Sequence, residues 1–167
     1  GELKTNGYSD YLLPVSPGLL LGVGKDANDT GRVQGVKLSL FDVADAANPK
    51  EVATRTIGKT GSSSGLDYGS HGINLFTTGG VTRVALPVAV SETPNPSGGT
   101  WYYPSYQGLA RFDIDMANKT LTERPTLVGQ TFSPNQYGTG GGWLGNERSV
   151  QLDAHVYYLT GLGKIMG

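Results

Sequence analysis

The 167-residue chain carries 13 basic and 14 acidic side chains, a net charge of −1, and no cysteine. The charge balance argues against a nucleic-acid partner, and the missing cysteine excludes disulfides, thiol catalysis and cysteine-based metal sites. The 26 glycines and 9 prolines make up about a fifth of the chain, against roughly 12% in average usage, yet 37% of the residues are hydrophobic.

Glycine and proline punctuate short apolar runs, the pattern of many strands joined by tight turns. In chain order, runs at 11–15 and 19–24 flank Ser16-Pro17-Gly18 and read as a hairpin. The polar loop 25–35 leads into 36–43, where Val36, Leu38 and Leu40 alternate with Lys37 and Ser39 as in a half-buried strand. A turn closing on Asn48-Pro49 leads to a fourth strand at 51–57, which completes a four-strand unit over 8–60. After a Gly/Ser-rich loop at 58–65, a second unit spans 66–130 with strands at 71–76, 81–90, 108–114 and 121–129. Pro87 lies inside the second of these, which predicts a bulge or an unpaired ladder position. The segment 91–107 reads as an inserted surface loop. A third unit begins at 146–167, with a hairpin at 148–152 and 155–160. No stretch approaches the ~18–20 apolar residues of a membrane span. The opening Gly1-Glu2-Leu3 has no Met and reads as a cut within a longer protein.

A repeat ties the units together. Leu38-Ser39-Leu40-Phe41-Asp42-Val43 and Leu109-Ala110-Arg111-Phe112-Asp113-Ile114 share Leu-x-x-Phe-Asp-(Val/Ile), and Ala47-Asn48 and Ala117-Asn118 follow them. The second copy is one residue shorter before its Ala-Asn. With the inserted loop set aside, the offset falls to a little above the ~40–50 residues of four-stranded propeller blades. The expected fold is all-β, a fragment of a β-propeller with about two and a half four-stranded antiparallel blades and no long helix.

Several residues invite chemistry. Asp42 and Asp113 stand at equivalent places on different blades, too far apart for an acid/base pair, and are expected to cap the turns that follow them. Gly61-Ser62-Ser63-Ser64-Gly65, with Asp67 and His71 nearby, matches a nucleophile elbow in letters. That elbow requires a strand before it and a helix after it, whereas here a loop leads to a strand. His71 and His155 stand near the starts of their units, where each imidazole is expected to bond a neighbouring blade's backbone. Asp26, Asn28 and Asp29 bring oxygen ligands together before Gly31, which makes calcium the candidate cofactor, with a solvated Asp/Asn turn as the plainer reading. Trp101, Tyr102, Tyr103 and Tyr106 gather in and beside the inserted loop. Such aromatics stack on sugars or anchor a partner when exposed, or else pack the loop against the blade edge.

The segments 7–12 and 20–26, and above all 35–43 running on to Asn48-Pro49, resemble a bacterial family of secreted proteins with a C-terminal β-propeller domain. The resemblance implies an exported or cell-surface protein and carries over no catalytic residue. The function expected from sequence is a non-enzymatic binding or scaffolding module that recognises a protein or carbohydrate through inter-blade loops. The alternative is part of a propeller hydrolase or lyase whose catalytic residues lie mainly on other blades. Two and a half blades do not close a ring, so the remainder of the propeller or another copy of the chain is the expected partner.

Overall fold

A computed structural model of the chain describes residues 2–92, 103–133 and 144–167. The first sheet is the antiparallel meander β1 (Tyr8–Ser16), β2 (Leu19–Ala27), β3 (Val33–Asp42) and β4 (Lys50–Ile57). Pro17 and Gly18 form the β1–β2 turn, with Gly18 at φ +81°, where a side chain would strain the backbone.

The second sheet is built on β7 (Val81–Val90), β8 (Tyr106–Asp115) and β9 (Thr120–Thr131). Its first strand is split. β5 (Ser63–Ser64) pairs with β7 at Ala89 and Val88, and β6 (Asn74–Thr78) pairs with β7 from Ala85 to Val81. Two 3-10 turns, Gly65–Tyr68 and Ser70–Gly72, lie between them. Leu86 and Pro87 therefore have no ladder partner on that edge, and the missing proline N–H falls at the gap. Pro87 meets the expected unpaired position, and its pairing with β8 runs through without a bulge. The β6–β7 turn, Gly79-Gly80, has φ of +56° and +82°, the doubly left-handed geometry whose twist suits a two-residue hairpin. The third sheet comprises β10 (Arg148–Leu152), β11 (His155–Leu159) and the short β12 (Ile165–Met166).

The sheets stack face to face, and β7, β8 and β9 of the second divide their side chains between two neighbours. Val84, Leu86, Ala110, Phe112 and Ile114 pack against Leu21, Val23, Leu38 and Leu40 of the first sheet. Ala85 and Leu109 face the other way and enclose Tyr158 of the third. Each fully buried leucine here contributes roughly 1.5–3 kcal/mol. Phe112 is buried against the first sheet, whereas its repeat counterpart Phe41 faces away from the second and is half-buried. The half-buried reading of 36–43 is corrected: Val36 through Leu40 are all buried, because β3 is a central strand. Lys37 is drawn in with its charge matched, its ammonium donating to the Asn6 carbonyl at 2.8 Å and lying 3.1 Å from Glu51.

The turn caps also differ from the expected ones. Asp45 accepts bonds from the Ala47 N–H at 3.0 Å and the Asn48 amide at 2.8 Å. Asp115 does the same with Ala117 at 3.0 Å and Asn118 at 2.8 Å. The Asn48 amide, then the Ala47 N–H, hold Asp45 below the usual carboxylate range, and the bonds from Asn118 hold Asp115 there. The missing residue in the second copy leaves both caps at the Asp of Asp-x-Ala-Asn. Asp42 does accept from the Ala44 N–H at 3.2 Å, but Asp113 is taken by Arg124 on the adjacent strand.

Candidate functional site

Strand β2 runs to Ala27 and β3 starts at Val33, so the acidic loop is shorter than 25–35. Asn28 organises it: Oδ1 accepts from Thr30 N at 3.1 Å, Thr30 Oγ1 at 2.7 Å and Arg32 N at 2.9 Å. Asp26, inside β2, accepts a 3.3 Å bond from the Thr56 hydroxyl, and Asp29 is exposed. Among the described residues no group of three or more His, Cys, Asp or Glu side chains is gathered to hold a metal ion.

Trp101 and Tyr102 lie outside the described residues. Tyr103 is 46% exposed at the edge of the insertion. Tyr106 belongs to β8 and packs against the core between the first two sheets. Its hydroxyl pKa is raised, first by burial and then by the charges of Glu92 and Glu123. The base of the insertion is stitched by serines: Ser91 Oγ donates to the Tyr103 carbonyl at 3.2 Å, and Ser105 N–H donates to the Val90 carbonyl at 2.6 Å.

The Gly/Ser segment is structural. Ser62 is buried, and its Oγ accepts from the Ser91 N–H at 3.0 Å. Ser63 and Ser64 form β5, and Asp67 accepts from the Ser64 N–H at 2.9 Å and from Lys25 of the first sheet at 2.6 Å. His71 sits exposed in the second 3-10 turn, and His155 is exposed at the start of β11 with its ring 6.5 Å from that of Tyr157. Asp42 pairs with Lys119 of the second sheet; that bond is the largest cause of its lowered pKa. The candidate carboxylates Asp42 and Asp67 thus tie one sheet to the next.

A cleft of about 320 Å³ opens between the second and third sheets. Three arginines from three strands line it: Arg83 (β7), Arg111 (β8) and Arg124 (β9), with Asp113, Gln151 and His155 beside them. Arg111 spends Nε and Nη2 on the Pro125 carbonyl, at 2.8 and 2.6 Å. That carbonyl lies at the bulge where the β8–β9 register shifts between Leu109 and Arg111. Arg83 donates to the Asp153 carbonyl at 3.1 Å, and Arg124 Nε donates to Asp113 at 2.7 Å. Gln151 bridges the same two sheets, donating to the carbonyls of Asn74 at 3.4 Å and Arg83 at 3.3 Å.

The beta propeller domain family model matches residues 1–164. The chain belongs to that family. Its stacked sheets are therefore successive propeller blades, as the Leu-x-x-Phe-Asp repeat implied. Among curated proteins, an uncharacterized protein of Methanocaldococcus jannaschii is 52% identical over 52 residues, covering 31% of this chain and 8% of that protein. An uncharacterized protein of Archaeoglobus fulgidus is 45% identical over 51 residues, 30% of this chain and 7% of its own. Each match spans less than a tenth of the relative's length, and both relatives are archaeal. No solved structure gives a significant match.

The arginine cleft is the feature that sequence reading missed. Its residues are scattered over three strands and form no run. The available signal was the repeat itself, since Arg111 stands where the first copy has Leu40.

Proposed function

We propose that this propeller segment is a non-enzymatic binding or scaffolding module of an exported protein, with recognition of a protein or carbohydrate carried by loops that join strands within a blade, such as the one between β7 and β8, rather than by inter-blade loops. The observation that carries the reading is the use of Asp42 and Asp67 as cross-blade ties, which makes them parts of a rigid frame. A rigid frame that presents variable loops is the usual basis of recognition on such folds. The inserted loop with Trp101, Tyr102 and the exposed Tyr103 is the recognition element this reading favours. The resemblance to secreted propeller proteins supports export. The remaining blades, on the same polypeptide or from a second copy, complete the ring.

Sedimentation with insoluble polysaccharides tests the carbohydrate arm, and surface-immobilised candidate proteins test the protein arm. Retention lost on Trp101→Ala and Tyr103→Ala supports the reading. Retention indifferent to both substitutions, or turnover of the polysaccharide by the chain, overturns it.

A further inference from the structure

The first two blades are copies of one unit, so their ladders can be compared position by position. In the first, Asp42 pairs with Leu19, and Leu40 lies between Leu21 and Ala53. In the second, Asp113 pairs with Arg83, and Arg111 lies between Ala85 and Arg124. Arg83, Arg111 and Arg124 thus stand where the first blade has Leu19, Leu40 and Ala53. Leu19 and Leu40 are 2% and 0% exposed in the core between the first and second blades. The same layer one blade later is an open cleft lined by guanidinium groups.

Packing does not explain that exchange, because the apolar set already serves the same geometry one blade earlier. Electrostatics opposes it. Arg111 and Arg124 are direct cross-strand partners, and like charges so placed repel. Asp113 ion-pairs with Arg124 and stands opposite Arg83 in the ladder, so one carboxylate faces three guanidinium groups and the cleft keeps an excess of two positive charges; among the described residues Arg83 and Arg111 donate only to backbone carbonyls. Each guanidinium has five N–H donors in a planar fork that fits the oxygens of a phosphate or carboxylate, and most of those on Arg83 and Arg111 remain uncommitted.

We propose that the cleft between the second and third blades binds a small molecule whose head carries two negative charges, a phosphate monoester or a dicarboxylate. The excess of two positive charges matches that of a dianion, and the volume suits a small ligand, at the low end of the ~300–1,000 Å³ of ligand pockets. The site is lined by residues of the blade strands and the β10–β11 turn, and by no described residue of the inserted loop, so it stands independently of the loop-based recognition proposed above.

Titration of the ¹⁵N-labelled chain at constant ionic strength tests it, with inorganic phosphate in one arm and succinate in the other. Saturable amide shifts confined to the neighbourhoods of residues 83, 111, 124 and 155 are expected. Arg83→Gln and Arg111→Gln should each weaken binding about tenfold, the usual worth of a hydrogen bond to a charged group. Arg55→Gln, on exposed β4, should leave it unchanged. Saturation by phosphate alone assigns the phosphate head, and saturation by succinate alone assigns the dicarboxylate. Should Arg111→Gln fail to fold, the wild-type shift map and Arg83→Gln decide the matter. Shifts that never saturate, that spread over the basic surface, or that persist undiminished in Arg83→Gln overturn the proposal.

Discussion

Exchanging the side chains at two equivalent repeat positions, Leu40→Arg and Arg111→Leu in separate variants, separates frame from site. Leu40 is fully buried between blades. Its replacement by Arg forfeits roughly 1.5–3 kcal/mol of burial and adds a penalty of several kcal/mol for an unpaired buried charge. The total is about 4 kcal/mol or more, a large part of the ~5–15 kcal/mol that holds a typical domain. Arg111→Leu gives up the forked bond from one guanidinium to the Pro125 carbonyl, worth about 1.5–3 kcal/mol as a bond to a charged group. It gains apolar contact beside Ala85 and Val156, which also line the cleft, so its net change should stay within about 1 kcal/mol of zero. Leu40→Ala calibrates the scale at about 2–5 kcal/mol. Urea unfolding followed by far-UV circular dichroism gives each value from the midpoint, provided the m-value is unchanged. If Arg111→Leu costs as much as Leu40→Ala, the arginine is structural and the argument from repeat equivalence fails. If Leu40→Ala costs less than about 1 kcal/mol, the first two blades do not share a core.

The buried Tyr158 hydroxyl has its pKa raised, first by burial and then by Glu147, so its contribution is complete below the unfolded value and is lost as pH rises. Wild-type stability should decline above about pH 10, and Tyr158→Phe should flatten that limb of the melting profile; an unchanged limb refutes the assignment. Asp42, Asp45 and Asp115 have lowered values, so their contribution is present above the unfolded carboxylate range and is lost as pH falls through the folded values. Thermal midpoints should drop below about pH 4, and Asp115→Asn should reduce that drop slightly; a flat acid limb in the wild type counts against the caps. Exposed Leu12 on the first blade and Val150, Leu152 and Ile165 on the third predict that the isolated chain self-associates; light scattering that finds only monomer at high concentration contradicts this. Because Asn28 Oδ1 already accepts three hydrogen bonds, millimolar calcium should leave the melting temperature unchanged. A rise abolished by Asp29→Ala would instead assign the 26–29 loop to calcium.

The repeat, the turns and the strand order were legible because they are local. Pro17-Gly18 and Gly79-Gly80 dictate hairpins through their own backbone preferences, and two copies of Leu-x-x-Phe-Asp mark equivalent strands. The short β5 lies in a segment that reads as loop, since Ser63-Ser64 becomes a strand only by pairing with β7, and the strand expected at 71–76 begins only at Asn74 because His71 and Gly72 belong to a 3-10 turn. The main caps fall on Asp45 and Asp115 rather than on Asp42 and Asp113, because each repeat offers two nearby Asp residues and sequence alone does not say which one reaches the turn's N–H groups.

Sequence periodicity determined which side chains share a face, since alternate residues of a strand point to opposite sides whatever covers them. Only the tertiary structure decided what lies against each face. Lys37 looks solvent-facing in the alternation yet is buried, because the Asn6 carbonyl from the segment before the first strand and Glu51 of the next strand close over its ammonium. Arg111 holds the position of a core leucine yet lines an open cleft, because the third blade's β11 packs on Ala85 and Leu109 and leaves the layer beside them uncovered. The pattern of a strand is a property of its own backbone; burial and charge environment belong to its neighbours.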